Sequence, residues 1–132
     1  MKFPFAKVLS AKPKSIPAKV IAELENHFPN AINIDWEIKD AGYEAIFYLQ
    51  ETEHIAQFTK EGVLKTCKRN LWPNELPDSI GEVCKQQGEI MNAIAIFHDQ
   101  ELFYEIIVRD NNFNRTLLLF QKDAVLIEKR KV

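Results

Sequence analysis

Histidines, cysteines and clustered acids or amides are the side chains that could do chemistry in this chain. The histidines are His27, His54 and His98. None has another histidine or a cysteine three or four positions away, the spacing that lets two ligands reach one zinc ion from a single turn. Nor do their positions suggest a base beside a nucleophile. Asp110-Asn111-Asn112-Phe113-Asn114 imitates the first ligands of a calcium loop, but the required glycine is Arg115 and the closing glutamate is Gln121. Its flanks read as strands, so an Asn-rich hairpin turn is expected. Glu51 and Glu53 could serve as acid and base only in a cleft that shifts a pKa, and they fall on a predicted loop tip. The four glycines form no phosphate-binding loop. No cofactor and no metal is implied, and the expectation is a protein that is not an enzyme.

Two cysteines, Cys67 and Cys84, are too few for a disulfide framework in 132 residues. Cys84 falls on the apolar face of a predicted helix, where cysteine acts as a small hydrophobe. A Cys67–Cys84 bridge would require an oxidising compartment. Hydrophobic residues make up 46% and charged residues 27%, which argues for a packed core and against disorder. The net charge of -2 gives no electrostatic case for nucleic acid as a partner. The basic residues are uneven: Lys2, Lys7, Lys12, Lys14 and Lys19 load the start, and Lys129, Arg130 and Lys131 close the chain. Both basic stretches are expected to be solvated tails. No apolar run approaches the roughly 18 residues of a transmembrane span. The opening residues lack the apolar stretch of a secretion signal. The chain is therefore either cytoplasmic or a mature form that has lost a signal.

The elements that must position these residues repeat once. Ile16-Pro17 is matched by Leu76-Pro77, Tyr43-Glu44 by Tyr104-Glu105, and Val63-Leu64 by Val125-Leu126. The expected fold is α+β: a single domain, 1–132, of two tandem repeats, 15–69 and 75–130, joined by 70–74. Each repeat is one helix followed by about four antiparallel strands, with the helices packed on one side of the sheet. Ser15 offers a cap, Pro17 suits the first helical turn, and Val20, Ile21, Leu24 and Phe28 recur at helical spacing before Pro29 stops the helix. In the second repeat Pro77 opens a helix with Ile80, Val83 and Cys84 on its stripe, and Gly88 ends it. Ile32, Ile34, Trp36 and Ile38 alternate with polar residues and predict a half-buried strand with Trp36 in the core. Further strands are expected near 43–49, 54–58, 63–68, 90–98, 103–109, 116–121 and 125–129. Short hairpin loops make them antiparallel.

Ile16-Pro17, Phe28-Pro29-Asn30-Ala31, Asp35-Trp36-Glu37, Tyr43-Glu44-Ala45 and the turn with Gly62 resemble the PepSY-like, beta-lactamase-inhibitor-like proteins found mainly in Bacteroidetes. The resemblance covers both repeats. The second departs from it, with Gly88-Glu89-Ile90 and Ala95-Ile96-Phe97 in place of the Phe-Pro-Asn and Asp-Trp-Glu motifs. It implies an α+β fold with antiparallel sheets and a periplasmic or secreted setting, and it brings no catalytic residue to carry over.

Alternation places Tyr43, Ala45, Phe47 and Leu49 on one face of a strand, with Glu44, Ile46 and Tyr48 on the other. In the second repeat Tyr104, Ile106 and Val108 oppose Glu105, Ile107 and Arg109. The helix should cover the first set. Ile46, Tyr48, Ile107 and Arg109 are then candidates for a binding surface that mixes apolar and charged groups like a protein interface. Either a partner meets this face, or the N-terminal segment with Phe3 and Phe5 or the other repeat covers it. Trp72 and Phe113, on predicted loops, are further candidates, and Trp72 is expected to plug the joint between repeats. Two functions stand: a non-enzymatic, inhibitor-like module that binds a protein or peptide, or a small-ligand protein or enzyme with a pocket between the repeats. A homodimer through the same face stays open.

Overall fold

The structure is a computed structural model that describes residues 15–132. Lys2, Lys7, Lys12, Lys14, Phe3 and Phe5 lie outside the described residues, so the expectations placed on them are not taken further. The elements are α1 (Ala18–His27), β1 (Ile32–Lys39), β2 (Gly42–Leu49), β3 (Thr52–Thr59) and β4 (Leu64–Asn70), then α2 (Asp78–Gln87), β5 (Glu89–His98), β6 (Glu101–Arg109), β7 (Arg115–Gln121) and β8 (Leu126–Lys131). The fold is α+β, its strands antiparallel and in chain order. Two compact units make it up. The first holds the described residues up to Arg69 together with the turn His98–Gln100, and the second holds Asn70–Phe97 and Glu101–Val132.

In the first unit α1 lays Val20 and Leu24 against Trp36, Ala45, Phe47, Ala56 and Phe58, with Ile16 closing the cluster. Phe47 is fully buried, its ring centroid 4.9 Å from Phe28 and 5.4 Å from His54. Each large side chain removed from water in this way contributes about 1.5–3 kcal/mol. In the second unit α2 sets Ile80 and Cys84 against Ala93, Ile106, Val108, Leu118 and Phe120. The face each helix covers is the one that strand alternation assigns to it.

Both helices start differently from the expectation. Pro17 and Pro77 sit at the N-cap in extended conformation, no side chain caps either helix, and Ser15 is not a cap. Instead the Pro17 carbonyl accepts the N–H groups of Val20 and Ile21, and the Pro77 carbonyl accepts those of Ile80 and Gly81. Gly88 does end α2, at φ 156°. An added Cβ there would overlap the Arg109 carbonyl oxygen and come within 2.7 Å of its carbon, so glycine lets the end of α2 close onto β6.

β1 departs most from its sequence pattern. Trp36 is buried, but Ile32, Ile34 and Ile38 are exposed. The register to β2 slips between Ile32 and Asp35, where Asn33 takes a left-handed φ of 54°. The bulge breaks the phase of Ile32 with the rest of the strand, while Ile38, still in phase with Trp36, is exposed on an edge strand with only one neighbour. Lys129 to Lys131 are no tail: they lie on β8, and Lys129 Nζ donates to Gln87 Oε1 at 3.0 Å. Cys67 and Cys84 are both free thiols.

Candidate functional site

The sheet face turned away from each helix is built in rows across the strands. In the first unit the register aligns Asp35, Ile46, Ile55 and Lys68 in one row and Glu37, Glu44, Gln57 and Thr66 in the next. In the second it aligns Ile107, Leu117 and Arg130, then Glu105, Leu119 and Glu128. Ile46 and Ile55 thus lie between Asp35 and Lys68, Leu119 lies between Glu105 and Glu128, and Ile107 and Leu117 adjoin Arg130. Ile55 and Leu117 are buried, while Ile46, Tyr48, Ile107 and Arg109 are half-buried, so the exposed apolar part is narrower than alternation alone predicts.

One charge on this face is deeply set. Glu44 is 5% exposed and accepts a hydrogen bond from Gln57 Nε2 at 2.8 Å. Lys39 Nζ lies 3.7 Å from Glu44 Oε1 and 3.3 Å from Glu37 Oε2. Neither oxygen has a well-formed hydrogen bond, so the ammonium serves them as an ion pair. The Glu44 carboxylate, with help from Glu37, holds the Lys39 pKa above its ordinary value.

Arg109 and Phe113 come together at a second place. The end of α2 and the β6–β7 hairpin enclose a cleft of about 660 Å³ lined by Lys85, Gln86, Gln87, Gly88, Glu89, Arg109, Asp110, Asn111 and Phe113. Arg109 Nη2 donates to Glu89 Oε1 at 3.1 Å, and its guanidinium carbon lies 5.4 Å from the centre of the Phe113 ring, within cation–π range. Asp110 Oδ1 accepts the N–H groups of Asn112 and Asn114, and those bonds hold its carboxyl below the usual carboxylate range. These two bonds lock the hairpin, as an Asn-rich turn would. Phe113 is 75% exposed and sits at φ 64°. A left-handed bulky residue costs about 1–2 kcal/mol, so this ring is held out at the expense of backbone strain as well as solvent exposure.

Trp72 plugs nothing. It is 68% exposed, directly before the 3-10 turn Pro73–Glu75, and its N–H donates to Glu75 Oε1 at 2.8 Å. The adjacent core positions are taken by Leu71 and Leu76.

The folded chain also lines up an alcohol, an imidazole and a carboxylate that lie too far apart in sequence to form a motif. Thr66 Oγ1 is 2.7 Å from His98 Nδ1, and His98 Nε2 is 3.2 Å from Asp99 Oδ2. With Nε2–H toward the carboxylate, Nδ1 accepts the Thr66 hydroxyl. The same turn is tied to β4 by Asp99 N–H to the Lys65 carbonyl at 3.0 Å and by the Lys65–Asp99 ion pair at 2.8 Å, which draws the Asp99 pKa down. Thr66 is buried and none of the three residues lines the cleft, so the line reads as a pin on the β5–β6 turn. Among the described residues no group of three or more His, Cys, Asp or Glu side chains is gathered to hold a metal, and no helix is long and apolar enough to cross a membrane.

With this geometry in hand, comparison with solved structures is informative. A DUF2874 family protein from Bacteroides uniformis superposes with a TM-score of 0.77 at 19% identity, covering 88% of this chain and 89% of its own. A BLIP-like protein from Bacteroides fragilis does so with a TM-score of 0.78 at 18% identity, covering 89% and 86%. A proposed periplasmic protein from Bacteroides eggerthii matches with 0.77 at 18%, covering 89% of each chain. The chain shares its fold with these Bacteroides proteins. No protein-family model and no curated protein matches it.

Of the six candidate residues, the structure gathers Arg109 and Phe113 around one cleft, puts Ile46 and Tyr48 on one open face and Ile107 on another, and leaves Trp72 by itself on its turn. Two side-chain pairs escaped sequence reasoning. The Glu44–Gln57 pair could have been found from hairpin symmetry, since both lie equally far from the Gln50-Glu51 turn, whose residues both have positive φ. Thr66 with His98 offered no comparable signal.

Proposed function

We propose that the protein is a non-enzymatic binding module, inhibitor-like in form, that holds a protein or peptide on an open sheet face. The observation that carries this is the row structure of that face: Ile46 beside Ile55 between Asp35 and Lys68, and Ile107 beside Leu117 next to Arg130. Aliphatic centres inside a charged rim have the anatomy of a protein interface. The likeness to a BLIP-like protein supports this reading, and the likeness to a proposed periplasmic protein supports a periplasmic setting. We read the two helix-and-four-strand units as copies of one ancestral unit, and the chain as a relative of the PepSY-like, beta-lactamase-inhibitor-like proteins. The test is a photoreactive benzoylphenylalanine placed at Ile107 or Tyr48 in the native host, with Lys60, on an exposed turn, as control. A discrete adduct at the face positions, absent at Lys60, supports the reading. Identical patterns at all three positions would sink it.

A further inference from the structure

We propose that the cleft between the end of α2 and the β6–β7 hairpin is a binding site for a neutral saccharide. The proposal stands apart from the sheet-face reading and uses different residues. Its first support is charge balance. Lys85 and Arg109 face Glu89 and Asp110, so the lining carries two positive and two negative groups. Arg109 is already paired with Glu89 at 3.1 Å, and Asp110 Oδ1 is engaged by two backbone N–H groups. The lining therefore carries no net charge, and neither an anion nor a cation is favoured overall. A polyol suits such a lining, because each hydroxyl both donates to a carboxylate or amide oxygen and accepts from a guanidinium or amide N–H.

The second support is the ring. Phe113 is exposed to solvent, braced by Arg109 and held in a left-handed conformation that glycine or asparagine would adopt more easily. Solvent exposure and backbone conformation both disfavour a phenyl group there unless it meets something. A flat apolar ring beside planar amides and acids, here Gln86, Asn111 and Glu89, suits the C–H face and hydroxyl edge of a pyranose. The third support is rigidity. Gly88 packs against the Arg109 backbone, and the hairpin is closed by Asp110 N–H to the Asn114 carbonyl and Phe113 N–H to the Asp110 carbonyl, each at 3.0 Å. The cleft volume falls in the range of small-molecule sites.

Saturation-transfer NMR on the full chain with maltose, cellobiose and lactose tests this, alongside glucuronate and glucosamine as ionised controls. Transfer to ring protons of at least one neutral disaccharide is expected, with amide shifts at Gln86, Asn111 and Phe113. Affinity should fall at least tenfold in Phe113→Ala and be retained in Phe113→Trp. Phe113→Gly relaxes the backbone and controls for misfolding: it should fold and not bind. Three outcomes each overturn the proposal: no transfer from any neutral sugar, binding that survives Phe113→Ala, or tighter binding of an ionised sugar. Failure here leaves the crosslinking test at Ile107 and Tyr48 untouched, so the two readings fail separately.

Discussion

Replacing either of two α2 glycines by alanine adds the same methyl group and should change stability in opposite directions. Gly81 lies within the helix, and a Cβ there meets nothing within 4 Å. Alanine lowers the conformational entropy lost on folding, so Gly81→Ala should stabilise by about 0.5–1 kcal/mol. Gly88 ends the same helix at φ 156°, with the Arg109 carbonyl where the Cβ would go. Backbone cannot move aside as a flexible side chain can. Overpacking of this kind costs about 1–3 kcal/mol, and the extended positive-φ backbone, which in practice only glycine adopts, adds roughly 1–2 kcal/mol. Gly88→Ala should therefore lose about 2–5 kcal/mol out of a total that for a domain of this size is about 5–15 kcal/mol. Urea unfolding followed by circular dichroism reads both variants on one scale, with midpoints moving in opposite directions at unchanged slope. The packing of α2 onto β6 described above would be refuted by a Gly88→Ala loss below about 1 kcal/mol. Equal effects at the two positions would refute it as well.

Other outcomes follow from the same structure. Phe47→Ala removes a fully buried ring tilted against Phe28 and stacked on His54 and should cost about 3–5 kcal/mol, whereas Trp72→Ala, at an exposed position, should stay within about 0.5 kcal/mol; thermal melts of the pair check the contrast. Burial pushes both thiols up to about 11, so Cys67 and Cys84 should resist iodoacetamide at pH 8 in the native protein and react together once urea is added, as mass spectrometry would report. Burial also lowers the His54 pKa, against the hydrogen bond its Nδ1–H gives the Thr52 carbonyl at 3.0 Å. The unfolded chain then takes up the proton first. Stability should hold above the ordinary histidine value of about 6.5 and fall as pH drops through it toward the lower folded value, and equal slopes in wild type and His54→Gln would count against this.

Much of the fold was legible because period and punctuation agree. Val20 and Leu24 are spaced for a helix that Pro29 must stop, and Tyr43 to Leu49 alternates for a sheet that one helix covers. Both patterns come from local geometry and need no knowledge of neighbours. β1 misled for the complementary reason. Its alternation of Ile32, Ile34, Trp36 and Ile38 is clean, yet its fate depends on having only one paired neighbour in the strand order and on a bulge at Asn33. An edge cannot be told from a centre by period alone. The helix starts failed similarly: Ser15 and Pro17 have the right chemistry for a cap and a first turn, but the chain uses the proline carbonyl in place of a side chain.

The sites were half legible because sequence names faces before it names contacts. Alternation placed Ile107 and Arg109 on the side away from the helix; Ile107 is outside the α2 cluster, while Arg109 lines the cleft at the end of α2. Alternation could not say that Arg109 turns at the strand end to brace Phe113, because that contact depends on a hairpin whose shape is set by Asp110 capturing two backbone N–H groups. The segment that imitates a calcium loop owes its acidic and amide residues to that lock. The hairpin built on that lock leaves an exposed phenyl ring, a paired guanidinium and a cleft of no net charge at the end of α2. That is a surface whose free valences are hydrogen bonds and an aromatic face, and a neutral polyhydroxylated ligand can use both without separating a charge pair.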